Sequence, residues 1–352
     1  MRRGRGARMT VSDARPVGTV LRGVGAAAAL GLAALLIAAC GTTPQTIVEP
    51  TTEAARASHS LLLLVFWAGL AVFVIVEGVL LYTLVRFRRR RGDTLPPQTQ
   101  GHLGLEIGWT IAPTVLIVIV AALTVPVIFA NAQEPEGDAI AVRAIGHQWW
   151  FEFTYPELGV VTANELHLPV GRPAAIAVES VDVLHSFWVP ALRGKIDMVP
   201  GRTSLIRIVP EVTGTFPGQC AEFCGTAHAL MRFTVVVDEP NAFDEWVTRQ
   251  LADRTPPTSE LAHAGEALLG PAGCVACHTI RGVSDIGIIG PDLTHVGSRG
   301  HIAANIMDMS RPNLEKWLRD PTGMKPGNFM KLPRPLTEDE IGALVEYLSG
   351  LK

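Results

Sequence analysis

The sequence predicts a multidomain membrane protein that combines a two-helix transmembrane hairpin, an all-β domain and an all-α domain. Two apolar runs, residues 61–85 and 107–130, are each long enough to cross a bilayer, which needs about 20 helical residues. Short strand-like runs separated by turn residues then fill positions 140–237, which is typical of a sandwich or barrel. The remainder, roughly 259–352, has the pattern of helices joined by loops.

The N-terminal 39 residues are predicted to be a signal peptide, because an arginine-rich start is followed by an apolar run. The run ends in "LIAAC", which resembles a bacterial lipoprotein signal and implies that Cys40 becomes the lipidated first residue. The alternative is an uncleaved apolar segment with an incidental cysteine. A chain that begins at Cys40 carries a net charge of −8 rather than −3, which favours basic partners and excludes nucleic acid.

The loop between the two apolar runs sets the predicted topology. It contains five arginines between positions 86 and 91, and loops rich in arginine stay on the cytoplasmic side. Everything after residue 130 is therefore expected on the outer face of a bacterial plasma membrane. The signal peptide predicts the same orientation independently.

A haem attachment motif begins the C-terminal region. "CVACH" places Cys274 and Cys277 where their thiols can bond to haem vinyl groups, with His278 as the axial ligand of the iron. The region from "AGEALLGPAGCVACH" to "GPDL" resembles a class I cytochrome c, which implies that Pro291 offers its carbonyl to His278. The resemblance also implies a methionine as the sixth ligand, and "KPGNFM" favours Met330 over Met324.

A second cluster of metal-binding residue types lies in "PGQCAEFCGTAHALM". Cys220, Cys224, His228 and Met231 are spaced C-x3-C-x3-H-x2-M, and two thiolates can bridge two copper ions. Each copper then needs one imidazole, and His185 in the upstream "VLHSFW" can supply the second. A disulfide between the two cysteines, or a zinc site, are the alternatives, and both leave several of these residues unused.

At this point the chain resembles subunit II of haem–copper cytochrome c oxidase, whose cupredoxin domain holds the binuclear copper centre CuA. The resemblance extends from residue 59 to residue 352. It implies that the copper ligands are His185, Cys220, the main-chain carbonyl of Glu222, Cys224, His228 and Met231. In this family the side chain of that glutamate also helps to bind a magnesium ion at the interface with subunit I.

The resemblance assigns roles to two further residues. In "GHQWWFEF", Trp149 matches the tryptophan that lies at the surface over the copper and admits electrons. In "GLEIGW", Glu106 matches the glutamate at the mouth of a proton pathway into subunit I. Without the resemblance, Trp149 is an ordinary sheet aromatic and Glu106 a carboxylate at a helix N-terminus, which the helix dipole favours.

The predicted function is electron transfer from the c-type haem through CuA to subunit I, where O2 is reduced to water with proton pumping. The expected partners are subunit I, other oxidase subunits, membrane lipid, and an upstream cytochrome c or bc-type complex as donor. The alternatives are the input subunit of a CuA-type nitric-oxide reductase and a periplasmic copper-binding protein. The predicted order is signal peptide (1–39), transmembrane hairpin (40–135), cupredoxin CuA domain (136–240), linker (241–258) and cytochrome c domain (259–352).

Overall fold

The computed structural model describes residues 30–31, 45–88, 100–133 and 137–352. Cys40, most of the arginine-rich loop and all of the predicted signal peptide except residues 30–31 lie outside the described residues. Residues from Gln45 to Lys352 form one compact unit, so the contacts between its parts belong to the fold.

Two long helices, α1 (Glu53–Arg86) and α2 (Leu103–Asn131), enclose the two predicted membrane spans. Both are long and apolar enough to cross a membrane, and most of their large apolar side chains are exposed. Such a surface matches lipid rather than water. The Thr52 side chain caps the start of α1 by accepting a hydrogen bond from the Ala55 amide.

Hydrogen bonds tie the outer ends of both helices to the following β domain. At the start of α1, the Thr52 hydroxyl donates to the Leu192 carbonyl at 2.5 Å. At the end of α2, the largely buried Arg193 guanidinium donates to the Asn131 carbonyl at 2.5 Å. The membrane hairpin therefore has a fixed connection to the sheet, in addition to the covalent chain.

The β domain is a sandwich of two five-stranded sheets, ordered β3-β2-β1-β5-β8 and β4-β10-β9-β6-β7. Most neighbouring strands are antiparallel, but β1 pairs with β5, and β4 with β10, in parallel. The strands are β1 (Ile140–His147), β2 (Trp150–Tyr155), β3 (Val160–Ala163), β4 (Glu165–Pro169), β5 (Ala174–Ser180), β6 (His185–Val189), β7 (Arg193–Met198), β8 (Ser204–Ile208), β9 (Gly214–Cys220) and β10 (Arg232–Asp238).

Aromatic rings fill the space between the two sheets. The Phe233 ring on β10 lies 4.6 Å from Phe151 on β2 and 4.8 Å from Phe187 on β6, measured between centroids. Gly218 lies directly beneath Phe233, where an added Cβ would come within 2.6 Å of a ring carbon. Buried and half-buried residues alternate along β5, which shows why these sequences form strands with one inward face.

A short helix, α3 (Pro240–Leu251), closes one side of the sandwich. Its Phe243 and Trp246 are buried, and Trp246 stacks on the His167 ring at 4.3 Å. The Tyr155 hydroxyl bridges the β2 and β4 strands by donating to the His167 carbonyl and accepting from the His167 amide.

The C-terminal domain contains helices and two short β ribbons, β11–β12 and β13–β14, which the all-α prediction did not include. Strands of two to five residues are too short to give a recognisable period in the sequence. The elements are α4 (Glu260–Leu268), β11 (His278–Ile280), β12 (Ser284–Ile288), β13 (His301–Ile302), β14 (Met307–Asp308), α5 (Arg311–Arg319), α6 (Pro321–Met324) and α7 (Glu338–Gly350).

The first and last helices of this domain, α4 and α7, cross at a glycine. An added Cβ at Gly265 would come within 2.8 Å of the Tyr347 Cβ, so the close crossing depends on the missing side chain. A capping box begins α7, because Thr337 and Glu340 each bond the other's backbone amide.

Candidate metal and haem sites

Strand pairing explains how His185 reaches the two cysteines that follow it 35 or more residues later. Phe187 on β6 pairs with Cys220, the last residue of β9, which places His185 at the same end of the sheet. The chain after Cys220 forms a loop that carries Cys224 and His228 and returns at Met231 to β10. All five side chains therefore meet at one edge of the sandwich.

The distances among these side chains suit a shared metal site. The two thiol sulfurs are 3.7 Å apart, too far for a disulfide, and both cysteines are free and buried. The Cys220 sulfur lies 3.9 Å from His185 Nδ1 and 3.2 Å from the Glu222 carbonyl oxygen. The Cys224 sulfur lies 3.6 Å from His228 Nδ1 and 3.9 Å from the Met231 sulfur.

This donor set fits a pair of soft metal ions better than one hard ion. Two sulfurs lie between two imidazoles, and a thioether and a carbonyl complete the two ends, which is the ligand chemistry that copper prefers. The ligand atoms of His185, Cys220 and Cys224 all lie within 4.8 Å of one another. The residues present therefore fit a binuclear copper centre.

Electrostatics favour the loss of a first proton from the thiol pair. The hydrogen bond with Cys224, followed by that with His185, lowers the pKa of Cys220 well below its ordinary range despite burial. The resulting thiolate, together with burial, raises the pKa of Cys224. Since metal binding requires thiolates, a bound cation would take the place of the proton that Cys224 retains.

Two neighbours that the sequence analysis did not identify hold the His185 ring in place. Asp182 accepts a hydrogen bond from His185 Nε2 at 2.7 Å, which leaves Nδ1 directed towards Cys220. Gly146 on β1 lies against the ring, where an added Cβ would come within 2.8 Å of His185 Cδ2. The carboxylate three residues before His185 was the available signal, but nothing in the sequence indicates Gly146.

Trp149 lies beside the copper-site loop, but it is not at the surface as the resemblance implies. Its indole Nε1 donates to the Cys224 carbonyl at 3.0 Å, and only 6% of the residue is exposed. The Phe329 ring of the C-terminal domain covers it, with the ring centroids 5.2 Å apart. The surface position is therefore wrong for this chain, because the fused domain occupies that surface.

The haem motif lies on the wall of an apolar cavity of about 210 Å³. Cys274, Cys277 and His278 line it, and His278 Nδ1 lies 2.7 Å from the Pro291 carbonyl, the contact that the resemblance implies. A ring nitrogen that donates to a carbonyl carries the proton, so Nε2 is the ligand atom. Burial lowers the pKa of His278, which keeps this nitrogen neutral, and a Cβ at Gly290 would collide with the ring.

Of the two candidate methionines, Met330 lines the haem cavity, and Met324 is not among its lining residues. Asn328 organises this loop, since its buried amide donates to two carbonyls and its oxygen accepts from the Met330 amide at 2.6 Å. The residues present therefore fit a covalently attached haem with histidine and methionine ligands. No pattern in the sequence indicates the role of Asn328.

The remaining predicted site residues are Glu222 and Glu106. The Glu222 carboxylate is partly exposed and accepts a hydrogen bond from Lys195 at 3.1 Å. Glu106 lies in the first turn of α2, as expected from its position in the sequence. The structure thus brings the copper residues together and the haem residues together, and it leaves Glu106 apart from both groups.

The fold and these two sites define a membrane-anchored protein that combines a cupredoxin-type metal site with a c-type haem site. Residues 46–127 and 158–238 match the families described as the transmembrane and periplasmic domains of cytochrome c oxidase subunit II. Residues 262–352 match the cytochrome c family.

Bacterial relatives extend the match over nearly the whole chain. The chain is 35% identical to cytochrome c oxidase subunit 2 of Alkalihalophilus pseudofirmus and of Bacillus sp. PS3, and 32% identical to that of Bacillus subtilis. Each match covers 92% of this chain and 96% of the relative. The chain belongs to the cytochrome c oxidase subunit II family, in a form with a C-terminal cytochrome c domain. Membership implies the copper centre CuA, a c-type haem and association with subunit I.

Proposed function

We propose that this chain conducts electrons from its own c-type haem to CuA and on to subunit I of a terminal cytochrome c oxidase, where O2 is reduced to water with proton pumping. The observation that carries the proposal is the position of Trp149. Its indole bonds the Cys224 carbonyl, and it also lines the haem cavity, so one side chain joins the two sites.

The protein's contribution at the copper site is to hold the ligands still. A copper pair bound there would supply a one-electron couple whose charge is shared between two metals. A hydrogen bond to Asp182 fixes the His185 ring. Both cysteines are buried, and the side chains of Gln148 and Trp149 hold the Cys224 backbone by donating to its carbonyl. Fixed ligands change little when the charge changes, which lowers the reorganisation that electron transfer requires.

At the haem site, the chain supplies an apolar cavity and the residues that would bind a haem. Cys274 and Cys277 would attach it, Pro291 orients His278, and Asn328 positions the loop that presents Met330. Histidine and methionine ligation raises the haem potential, which suits a donor to copper.

The surface around the copper loop is the expected contact with subunit I. Phe223, between the Glu222 backbone ligand and Cys224, is 75% exposed although it is strongly apolar. Exposed aromatic residues of this kind are typical of interface centres. We place the magnesium site of the resemblance at the Glu222 carboxylate, and the entry of the proton pathway at Glu106.

The proposal includes the domain division 40–135, 136–240, 241–258 and 259–352, with lipid at Cys40 and the last three segments on the outer face of a bacterial plasma membrane. The upstream donor is a cytochrome c or a bc-type complex. A fused haem then replaces part of a diffusional encounter, which raises the effective concentration of the donor.

Purification of the native membrane complex tests the function. We expect a haem–copper subunit I to co-purify and the complex to consume O2 when reduced cytochrome c is added. Nitric-oxide reduction in place of O2 uptake would favour the reductase alternative, and a chain purified without subunit I that transfers copper to a chelator would favour a copper-binding protein. Either result would overturn the proposal.

A further inference from the structure

A lysine of the C-terminal domain is buried against the tryptophan that joins the two sites. Lys325 is 4% exposed, and its Nζ donates to the Trp149 carbonyl at 2.5 Å and to the Ala303 carbonyl at 3.4 Å. Within the described residues, no carboxylate lies within 4.0 Å of this nitrogen. Burial lowers the pKa of Lys325 to about 7, and attraction to the nearby Cys224 sulfur opposes this effect only in part.

The position of this lysine connects three segments at once. It comes from the loop that also carries Phe329, it bonds the backbone of the residue whose ring Phe329 covers, and it bonds Ala303 in the turn between β13 and β14. The loop continues directly to Met330. The hydrogen bonds of Lys325 therefore connect the loop that carries the predicted haem ligand to Trp149.

We propose that Lys325 is a positioning residue that holds Trp149 and Phe329 in fixed contact between the haem cavity and the copper ligands. The proposal rests on the proposed function, since it concerns the route that joins those two sites. It adds that the cytochrome c domain is docked in one register on the cupredoxin domain. A domain that moved freely on its linker would not maintain this register.

Other contacts across the same interface support a docked domain. The buried Glu165 carboxylate on β4 accepts hydrogen bonds from the Gly300 amide at 2.6 Å and the His301 amide at 3.3 Å. The Asn305 amide donates to the Thr234 hydroxyl at 2.5 Å. Ala304 packs into a buried cluster with two residues of the sandwich. These contacts place the turn after β13 against the sheet.

The backbone of that turn indicates that docking stabilises its shape. Ala303, Ala304 and Asn305 all have φ near +60°, the left-handed region that residues other than glycine rarely adopt. Three consecutive residues in this region are unfavourable in an isolated turn. Contacts with the sandwich, together with the hydrogen bond from Lys325 to the Ala303 carbonyl, offset this cost in the assembled unit.

A docked domain also determines where external donors can act. Trp149 is covered, so a soluble cytochrome cannot contact the residue that lies next to the copper loop. Electrons from outside must then enter through the haem of this chain. The proposed domain interface is therefore part of the electron route from haem to copper. It also prevents an external cytochrome from passing electrons directly to the copper site through Trp149.

The test uses the complete oxidase and compares Lys325→Met with Lys316→Met. Methionine has nearly the length of the lysine side chain but cannot donate to the Trp149 and Ala303 carbonyls, and it removes the cost of burying an ammonium group. Lys316 is an exposed lysine on α5 of the same domain, so its change controls for the loss of a charge. Flash photoreduction of the haem then starts the one-electron transfer that oxidises ferrous haem and reduces the copper pair.

We expect the transfer rate of K325M to fall at least about tenfold, a factor that corresponds to about 1.4 kcal/mol, and to become sensitive to solvent viscosity. K316M and the unmodified protein should show one fast rate that viscosity does not change. Both midpoint potentials are measured in each protein. A K325M rate equal to that of K316M, or a slower rate fully explained by changed potentials, would overturn the proposal.

A second readout does not depend on electron transfer. Amide hydrogen exchange in the full chain should accelerate at residues 147–151 and 301–308 in K325M and stay unchanged in K316M. Equal exchange in the two variants would also overturn the proposal. If K325M does not accumulate with both cofactors, Phe329→Leu takes its place, because Phe329 is 62% exposed and its loss should leave the fold intact. An unchanged transfer rate in F329L would then overturn the proposal. If the unmodified protein transfers no electron from haem to copper, the proposed function fails instead.

Discussion

Replacement of Gly146 by alanine should disturb the copper site from the opposite sheet. Gly146 lies on β1, where an added Cβ would come within 2.8 Å of His185 Cδ2 and 3.0 Å of Cγ. Carbon atoms in contact prefer at least about 3.5 Å, so the ring must retreat by about 0.7 Å. It has little room, because His185 is fully buried and Asp182 holds its Nε2.

The expected cost follows from overpacking of a dense interior, which is about 1–3 kcal/mol. If the ring shifts, the cost appears in copper binding. At 1.4 kcal/mol per factor of ten, the affinity of the site for copper then falls by roughly 5- to 140-fold. If the ring stays, the cost appears in the fold, and the β domain unfolds at a lower temperature. Copper titration followed by the near-infrared absorption, and thermal unfolding followed by near-ultraviolet circular dichroism, measure the two outcomes.

Gly194→Ala is the matched control. Gly194 lies on β7 of the sandwich, is exposed, and has no atom within 4 Å of its added Cβ. The same substitution in a strand should therefore leave copper affinity, absorption and unfolding temperature unchanged. If G146A and G194A behave alike in all three measurements, the inference that Gly146 provides room for the His185 ring is wrong.

Three further predictions concern the two cofactor sites and the domain interface. Cys224→Ser should abolish the near-infrared absorption of the copper pair and leave the haem spectrum intact; a retained absorption contradicts a bridging thiolate. Met330→Ala should lower the haem midpoint potential, whereas Met324→Ala should not, and the reverse pattern would identify Met324 as the ligand. The Glu165 carboxylate, 3.9 Å from His301 Nδ1, raises the pKa of His301 above its ordinary value near 6.5, against the effect of burial. Its stabilising contribution is therefore complete below about pH 6.5 and is lost as the pH rises through the raised value. Hydrogen exchange of residues 300–305, corrected for the intrinsic pH dependence, should accelerate over that range, and H301Q should remove the acceleration.

The sequence was sufficient wherever the relevant pattern is local. Two long apolar runs predict the membrane hairpin, because a bilayer imposes a minimum length on any helix that crosses it. The motif "CVACH" predicts the haem site, because two thiols and a ligand must lie within one turn of chain. The capping box at Thr337 was visible in the same way. The β ribbons of the C-terminal domain were missed because they are shorter than any detectable period.

The copper residues were predictable for a different reason. Four of the side chains lie within a dozen residues, so their spacing is a local pattern. His185 was found because a second copper needs a second imidazole, and the resemblance then assigned it as a ligand. The residues that hold the His185 ring in place, Asp182 and Gly146, were not identified from the sequence. Gly146 acts through the absence of an atom, across the gap between two sheets, and no spacing along the chain reports such a distance.

By itself, the sequence determined the order of the structural units and the chemistry of both cofactor sites, since these depend on residue types close together in the chain. Only the tertiary structure decided how the two sites meet. The motif around Trp149 matches that of a surface tryptophan in the family. Here, however, Phe329 covers Trp149, and Lys325, 176 positions away, donates a hydrogen bond to its carbonyl. That arrangement depends on the packing of one folded domain against another. Such packing follows from the shapes of two assembled surfaces, and those shapes exist only after each domain has folded.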